Sequence, residues 1–181
     1  AASFTTLRLL AGAVFLVLLL RHRGGRASGH PLSALALWAY AAAFSFAYLG
    51  LTTATGALIL FATVQLTMTG SALLRGERLS WRQGAGMALA GAGLAYLLLP
   101  GVTAPPWFNG MLMVVAGVAW GVYSLRGRGS RDPLAATAGN FAYALVPALL
   151  VQAIAWPQLQ MDWRGAVAAI ASGALASGAG Y

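Results

Sequence analysis

The side chains best suited to bind a small molecule lie inside long apolar runs of the sequence. They are an arginine, two amides and a set of aromatic rings: Arg8, Tyr40, Phe44, Tyr48, Gln65, Trp120, Tyr123, Asn140 and Tyr143. A guanidinium can pair with an anion, amides can orient a polar group, and aromatic rings can form an apolar wall. Together these residue types indicate a binding cavity.

Arg8 is the one charged residue that falls well inside an apolar run. Placing a guanidinium in hydrocarbon costs about 2.5 kcal/mol or more unless the group reaches water or a partner. Arg8 lies about one turn from the outer end of its run, so its side chain could extend to that interface. Alternatively it could hold a substrate carboxylate, because Thr5, Arg8 and Gly12 share a helical face.

The aromatic candidates recur at helical spacing. Tyr40, Phe44 and Tyr48 are four residues apart and therefore form one stripe along a helix, while Trp120 and Tyr123 are one turn apart. Such rings can pack against lipid and neighbouring helices, or they can line a cavity. Tyrosine hydroxyls at mid-depth need hydrogen-bond partners, which favours an inward orientation.

Each amide candidate has companions on its own helical face. Gln65 is flanked by Phe61 and Thr69. Asn140 is followed by Tyr143 and Pro147. An amide in hydrocarbon must be hydrogen-bonded, so these residues either link two helices or face a substrate cavity.

Catalytic and metal-binding patterns are missing from the sequence. There is no cysteine, and no serine, histidine and acid set lies within an apolar run, so we expect no enzyme, no metal and no cofactor. His22 and His30 lie in a basic loop and are expected to be solvated. Glu77, next to Arg75, is expected to form an ion pair at a helix end, although proton coupling is the alternative.

The composition predicts a polytopic membrane protein. Of 181 residues, 60% are hydrophobic and 8% charged, whereas soluble proteins have roughly a quarter charged residues. We predict an all-α bundle of about seven transmembrane helices, organised around a hairpin at residues 56–100. The predicted spans are residues 4–20, 32–51, 56–74, 84–99, 107–125, 134–155 and a last span after Arg164 that is still running at Tyr181.

Arginine placement predicts the orientation. One set of alternate loops carries nearly all the arginines: Arg21, Arg23, Arg26, Arg75, Arg78, Arg82, Arg126, Arg128 and Arg131. The opposite loops carry Arg164, so the first set is assigned to the cytoplasm of a multi-pass protein in the inner or plasma membrane. This pattern argues against a nucleic-acid partner. It also places residue 1 outside, and we expect a fragment cut at both ends.

Small residues recur every four positions in three of the runs. They are Gly84, Ala88 and Ala92, then Gly117 and Gly121, then Gly173 and Ser177. This spacing allows two helix backbones to approach closely. We therefore expect helix–helix contacts at all three sites.

The chain also shows weak internal similarity. Shifting the sequence by 133 residues aligns Leu134 with Ala1 and Tyr181 with Tyr48. That shift spans five predicted helices and so reverses the orientation. Inverted repeats of this kind form transporters whose binding site lies at the midplane.

Several sequence segments in order resemble the drug/metabolite transporter superfamily, specifically its EamA-type ten-helix permeases. They are TVQLTM at 63–68, LRGERL at 74–79, the glycine-rich run 84–93, GVAWGVYS at 117–124, and the following GRG and DP. The family often has proline where this chain has Leu66. The resemblance implies that residues 1–100 are helices two to five of a first repeat and that residues 101–181 begin a second, truncated repeat.

The same resemblance implies a permease that exports small metabolites, such as amino acids, by alternating access. The expected partners are a small-molecule substrate and the lipid bilayer, and a homodimer is left open. A membrane scaffold or subunit that transports nothing is the alternative, in which the polar residues would face neighbouring helices.

Overall fold

The computed structural model describes residues 1–99, 104–154 and 162–178, and these residues form an all-helical bundle. The helices are α1 (Ala2–His22), α2 (Pro31–Ala47), α3 (Thr53–Leu74), α4 (Trp81–Leu98), α5 (Trp107–Gly127), α6 (Pro133–Ile154) and α7 (Trp163–Gly178). Each corresponds to one predicted apolar run, so the all-α class is confirmed. Residues 100–103 of the predicted loop 100–106 lie outside the described residues, as do the predicted span ends at Ala155 and Tyr181.

Among the described helices, four are long and apolar enough to cross a bilayer: α1, α3, α5 and α6, with 21 or 22 residues each. A span of roughly 20 residues is needed for a hydrocarbon core about 30 Å thick. Helix α2 is apolar but shorter, at 17 residues. The molecule is therefore a helical bundle with candidate membrane spans.

Several helix boundaries differ from the apolar runs because polar residues cap them. Helix α4 begins at Trp81 rather than Gly84, since Ser80 and Gln83 form a reciprocal capping box. Helix α2 ends at Ala47 rather than at residue 51. There the Asn109 side chain donates hydrogen bonds to two carbonyls of the last turn, that of Ala47 at 3.2 Å.

The three helices that end at the basic loops share an arginine and a glycine at their ends. Each is followed by glycine with positive φ: Gly24 after α1, Gly76 after α3 and Gly129 after α5. In each case an arginine occupies the preceding C-cap position. Only glycine adopts this backbone conformation without strain, so the Arg-Gly pairs turn the chain just where the arginines reach water.

Helices α2 and α6 occupy the centre of the packing. Helix α1 packs against α6 and α7, α2 packs against α5 and α6, and α3 packs against α5. A large apolar core joins α1, α2 and α6, with Leu16, Leu37 and Phe141 among its members. A second core lies between α2, α3 and α5 around Met113 and Leu60.

Glycines allow close contacts at two of the three predicted sites. A Cβ on Gly117 would lie 2.6 Å from Thr63 Cβ, so α5 and α3 are in direct contact there. A Cβ on Gly173 would collide with the Arg8 carbonyl oxygen, which brings α7 onto the backbone of α1. The prediction is wrong for α4, where Gly84 has no neighbour within 4 Å among the described atoms and Ala88 is exposed.

Candidate binding site

Five of the predicted rings form one continuous cluster across α2 and α5. We call it the aromatic cluster, and its members are Tyr40, Phe44, Tyr48, Trp120 and Tyr123. Along α2 the ring centroids are 5.5 Å apart for Tyr40 and Phe44 and 4.7 Å apart for Phe44 and Tyr48. The link to α5 is the 4.7 Å contact of Tyr40 with Trp120, which lies 5.5 Å from Tyr123.

Arg8 of α1 joins this cluster. Its guanidinium carbon lies 5.7 Å from the ring centroids of both Tyr40 and Phe44. The side chain is half-buried. A guanidinium stacks well on aromatic faces because it is planar and weakly hydrated. The structure therefore brings the one charged residue of α1's apolar stretch onto the ring stripe of α2.

Polar contacts fix α1 against α2 one turn from Arg8. Thr5 Oγ1 donates to Ser45 Oγ at 2.8 Å, and Ser45 Oγ donates to the Ala41 carbonyl at 2.8 Å. Thr5 is buried, with 3% of its surface exposed. Since both hydroxyls find acceptors, they can lie in an apolar interface at little cost. This link holds Arg8 level with the α2 rings.

The Tyr48 end of the aromatic cluster is positioned by glycine and by backbone contacts. A Cβ on Gly56 would lie 2.5 Å from the Tyr48 ring, so the absence of a side chain there makes room for the tyrosine. The Tyr48 hydroxyl donates to the Thr53 carbonyl at 3.4 Å. Tyr48 is thereby held against the start of α3.

Gln65 lies elsewhere. It is exposed on α3 and lines an open cleft of about 1070 Å³ between α3 and α4, which we call the α3–α4 cleft. Its expected companions Phe61 and Thr69 share this cleft, and Glu77 and Arg128 also line it. No ring of the aromatic cluster lines this cleft, so Gln65 is separated from the Arg8 site.

Asn140 and Tyr143 are also apart from the aromatic cluster. Asn140 is buried, at 7% exposure, and its Oδ1 accepts a hydrogen bond of 2.9 Å from the backbone N–H of His30. This contact links α6 to the loop before α2, which corresponds to the helix-linking alternative for Asn140. Tyr143 is 52% exposed on α6.

His30 is part of a polar cluster at the basic side of the bundle. Its Nδ1 accepts the Leu32 N–H at 3.2 Å and lies 3.0 Å from an Arg126 nitrogen. Arg126 also donates to Ser33 Oγ at 3.0 Å. His30 is exposed, as expected for a solvated loop histidine, and its ring in addition caps α2 and contacts Arg126 of α5.

Glu77 forms an ion pair with Arg75 at 3.2 Å, as predicted for the end of α3. Both side chains are about half exposed, so the pair contributes little to stability. Within the described ranges no group of three or more His, Asp or Glu side chains is placed to hold a metal ion.

Three polar residues with structural contacts or unusual burial were missed in the sequence. Asn109 caps α2, and Ser45 links α2 to α1. The Oε1 of Gln152 on α6 is buried and has no hydrogen-bond partner among the described residues. The periodicity of α5 gave no signal for Asn109, because its partner carbonyls belong to a distant part of the sequence.

The chain is similar to one curated bacterial protein. It is 50% identical over 184 residues to the uncharacterized protein PA1977 of Pseudomonas aeruginosa, an alignment that covers all of this chain and 64% of that protein. The chain thus spans just under two thirds of the length of this relative. No protein-family model and no solved structure matches the chain.

Proposed function

We propose that this chain is part of a membrane permease that exports small metabolites, related to the EamA-type ten-helix carriers of the drug/metabolite transporter superfamily. In this proposal all seven helices cross the inner or plasma membrane. Residues 1–100 belong to one half of the carrier and residues 101–181 to an inverted second half.

The observation that carries the proposal is the pattern of helix pairs. A shift of 133 residues maps α1 onto α6 and α2 onto α7 to within about two residues at each described helix start. If each of these helices is replaced by its counterpart in the other repeat, the contact between α1 and α7 maps onto the contact between α6 and α2. The contact between α1 and α6 maps onto itself. All of these pairs are in contact. Such exchange symmetry is expected for two inverted repeats packed around a common axis.

The location of the aromatic cluster is a second support. Arg8 and the rings of α2 come from the proposed first half, whereas Trp120 and Tyr123 come from the proposed second half. Carriers built from inverted repeats bind their substrates between the halves, near the middle of the membrane. A rocking motion of one half against the other would then expose these residues to each side in turn.

Side-chain chemistry suggests how a solute would be held. The rings offer a continuous apolar wall, and the guanidinium of Arg8 offers hydrogen-bond donors at its edge. Gln65 would act at a different step, because it lies in the α3–α4 cleft on the other face of α3. This cleft has an apolar body and polar groups toward the basic loops, as expected for an entry path from the cytoplasm.

Transport can be tested with the purified protein in proteoliposomes and a panel of labelled amino acids and related metabolites. We expect uptake or exchange of at least one solute class. Trp120→Leu should raise KM by roughly two- to tenfold, since a ring contact contributes about 0.5–1.5 kcal/mol. Trp107→Leu is the matched control, because this tryptophan of α5 is 78% exposed and lies outside the aromatic cluster.

Two outcomes would contradict the proposal. A folded protein that moves no solute in the panel would favour the scaffold alternative, in which the helices only pack against partners. Equal effects of the two tryptophan variants would show that the aromatic cluster does not contact the transported solute.

A further inference from the structure

Among residues 1–99, 104–154 and 162–178, the guanidinium of Arg8 has no anionic partner. The three acidic residues in the sequence each make a contact at a helix end, and none of them forms an ion pair with Arg8. Glu77 pairs with Arg75. Asp132 accepts the Ala135 N–H at 2.9 Å, and Asp162 accepts the Gly165 N–H at 2.8 Å.

Arg8 also makes no hydrogen bond to any group in the described ranges. It stacks on the faces of Tyr40 and Phe44, which contact the flat side of the guanidinium and not its N–H groups. Those N–H donors point outward from the edge of the plane in a fixed fork. A carboxylate is the group whose two oxygens match that fork.

The local charge limits the ligand to about one negative charge. Every other arginine lies at a helix end or in a loop, where it reaches water, so one guanidinium must balance the ligand. In a low-dielectric setting an uncompensated second charge on a ligand would be costly. A monoanion forms a neutral complex with Arg8.

The neighbouring surface determines the remainder of the ligand. From Arg8 the ring faces continue to Tyr48 in one direction and to Trp120 in the other. Flat apolar groups stack on such rings, in offset or edge-to-face arrangements. This surface suits an aromatic or similarly planar body attached to the anionic group.

We propose that this site binds a carboxylate-bearing solute with a planar apolar body, its carboxylate paired with Arg8 and its body on the aromatic cluster. That the bound solute is also the transported one rests on the proposed function. A lipid headgroup is the other source of an anion at this depth, and the test below separates the two.

The test uses three ligands of nearly equal shape: phenylpropanoate, phenylpropanamide and phenylpropylamine. Binding to the protein in nanodiscs of zwitterionic lipid is measured by calorimetry and by tryptophan fluorescence. We expect the carboxylate to bind about tenfold or more tightly than the amide, because hydrogen bonds to charged groups are the stronger ones. The amine should bind most weakly, since it places a second cation beside Arg8.

Substitutions test whether Arg8 is the side chain responsible for the preference for the carboxylate over the amide. Arg8→Gln should bind the carboxylate and the amide equally, and Arg8→Lys should keep part of the preference because it keeps the charge. Arg21→Gln is the matched control, an exposed arginine at the other end of α1, and should behave like the parent. Trp120→Leu removes a ring that contacts Tyr40, so it should weaken the binding of carboxylate and amide alike and leave their ratio unchanged.

The comparison of carboxylate and amide on the parent protein decides the proposal even if an Arg8 variant fails to fold. Equal binding of the two ligands would overturn it, as would a preference that survives in a folded Arg8→Gln protein. Competition by phosphatidylglycerol added to the nanodiscs would assign Arg8 to a lipid headgroup and would also overturn it.

The failure of this inference is distinguishable from failure of the transport proposal. Transport of neutral solutes with no preference for carboxylates would support the permease proposal and contradict the proposed anion site. Selective binding of carboxylates without transport of any solute into proteoliposomes would support the anion site and contradict the permease proposal.

Discussion

Replacing Asn140 by alanine should destabilise the junction between α6 and the loop before α2. The change removes the acceptor of the His30 N–H, which now forms a 2.9 Å hydrogen bond to Oδ1. A buried donor left without an acceptor costs roughly 1–3 kcal/mol. This hydrogen bond is partly buried, so the loss should lie near the lower end, at about 1–2 kcal/mol.

Packing beside this bond limits how far water can replace the amide. A Cβ on Gly29 would lie 2.7 Å from the Gly139 carbonyl oxygen, so the two backbones are in contact immediately next to Asn140. The nearby Ser28 N–H donates to the Ala135 carbonyl at 2.9 Å. The loop is therefore held against α6 at successive points, and the lost acceptor should not be fully compensated.

The measurement is unfolding by SDS in mixed micelles, followed by circular dichroism. Asn140→Ala should unfold at a lower SDS fraction than the parent. Asn140→Asp should lose less stability, because a carboxylate oxygen can still accept the hydrogen bond from the His30 N–H. Gln65→Ala is the matched control: it truncates an exposed amide on α3, so its effect should stay within about 0.5 kcal/mol.

A different result would revive the cavity hypothesis for Asn140. If Asn140→Ala unfolds like the parent but weakens solute binding, the amide contacts the solute rather than the His30 backbone. The reasoning from the hydrogen bond would then be refuted, and Asn140 would rejoin the predicted cavity residues.

Two further predictions concern packing and orientation. Gly117→Val should destabilise the α3–α5 contact by about 1–3 kcal/mol in the same SDS assay, whereas Gly84→Val, which faces open space, should have little effect. Equal effects would contradict the helix pairing. The 181-residue sequence contains no cysteine, so Thr53→Cys and Ala27→Cys each introduce a single labelling site into it. In intact cells an impermeant maleimide should label Thr53→Cys, and should label Ala27→Cys only after lysis; labelling of both from outside would contradict the arginine-based orientation.

The sequence predicted the helices well because hydrophobicity and loop charge are local properties. Every described helix coincides with an apolar run, and the Arg-Gly ends fall where arginine clusters mark the loops. Boundary errors arose where a cap overrode the hydrophobic pattern. The Ser80 and Gln83 box was readable in the sequence, whereas the end of α2 depends on Asn109, some sixty residues away.

The site was predicted less completely, for a physical reason. Spacing assigns a residue to a face of its own helix, but it does not say which other helix covers that face. Tyr40, Phe44 and Tyr48 were joined by spacing alone, since they share one stripe, and Arg8 joins them because Thr5 and Ser45 hold α1 beside α2. Gln65 was an equally polar candidate in the sequence, but the side of α3 that carries it lies toward α4.

This difference separates two kinds of polar residue in the bundle. Asn140, Thr5 and Ser45 have hydrogen-bond partners in the chain, so their chemistry is already used in joining helices. Arg8 is stacked but keeps its donors without an acceptor in the described ranges. A buried polar group is costly unless something satisfies it. Among the candidate site residues, the half-buried Arg8 is therefore the one that points most directly to a ligand.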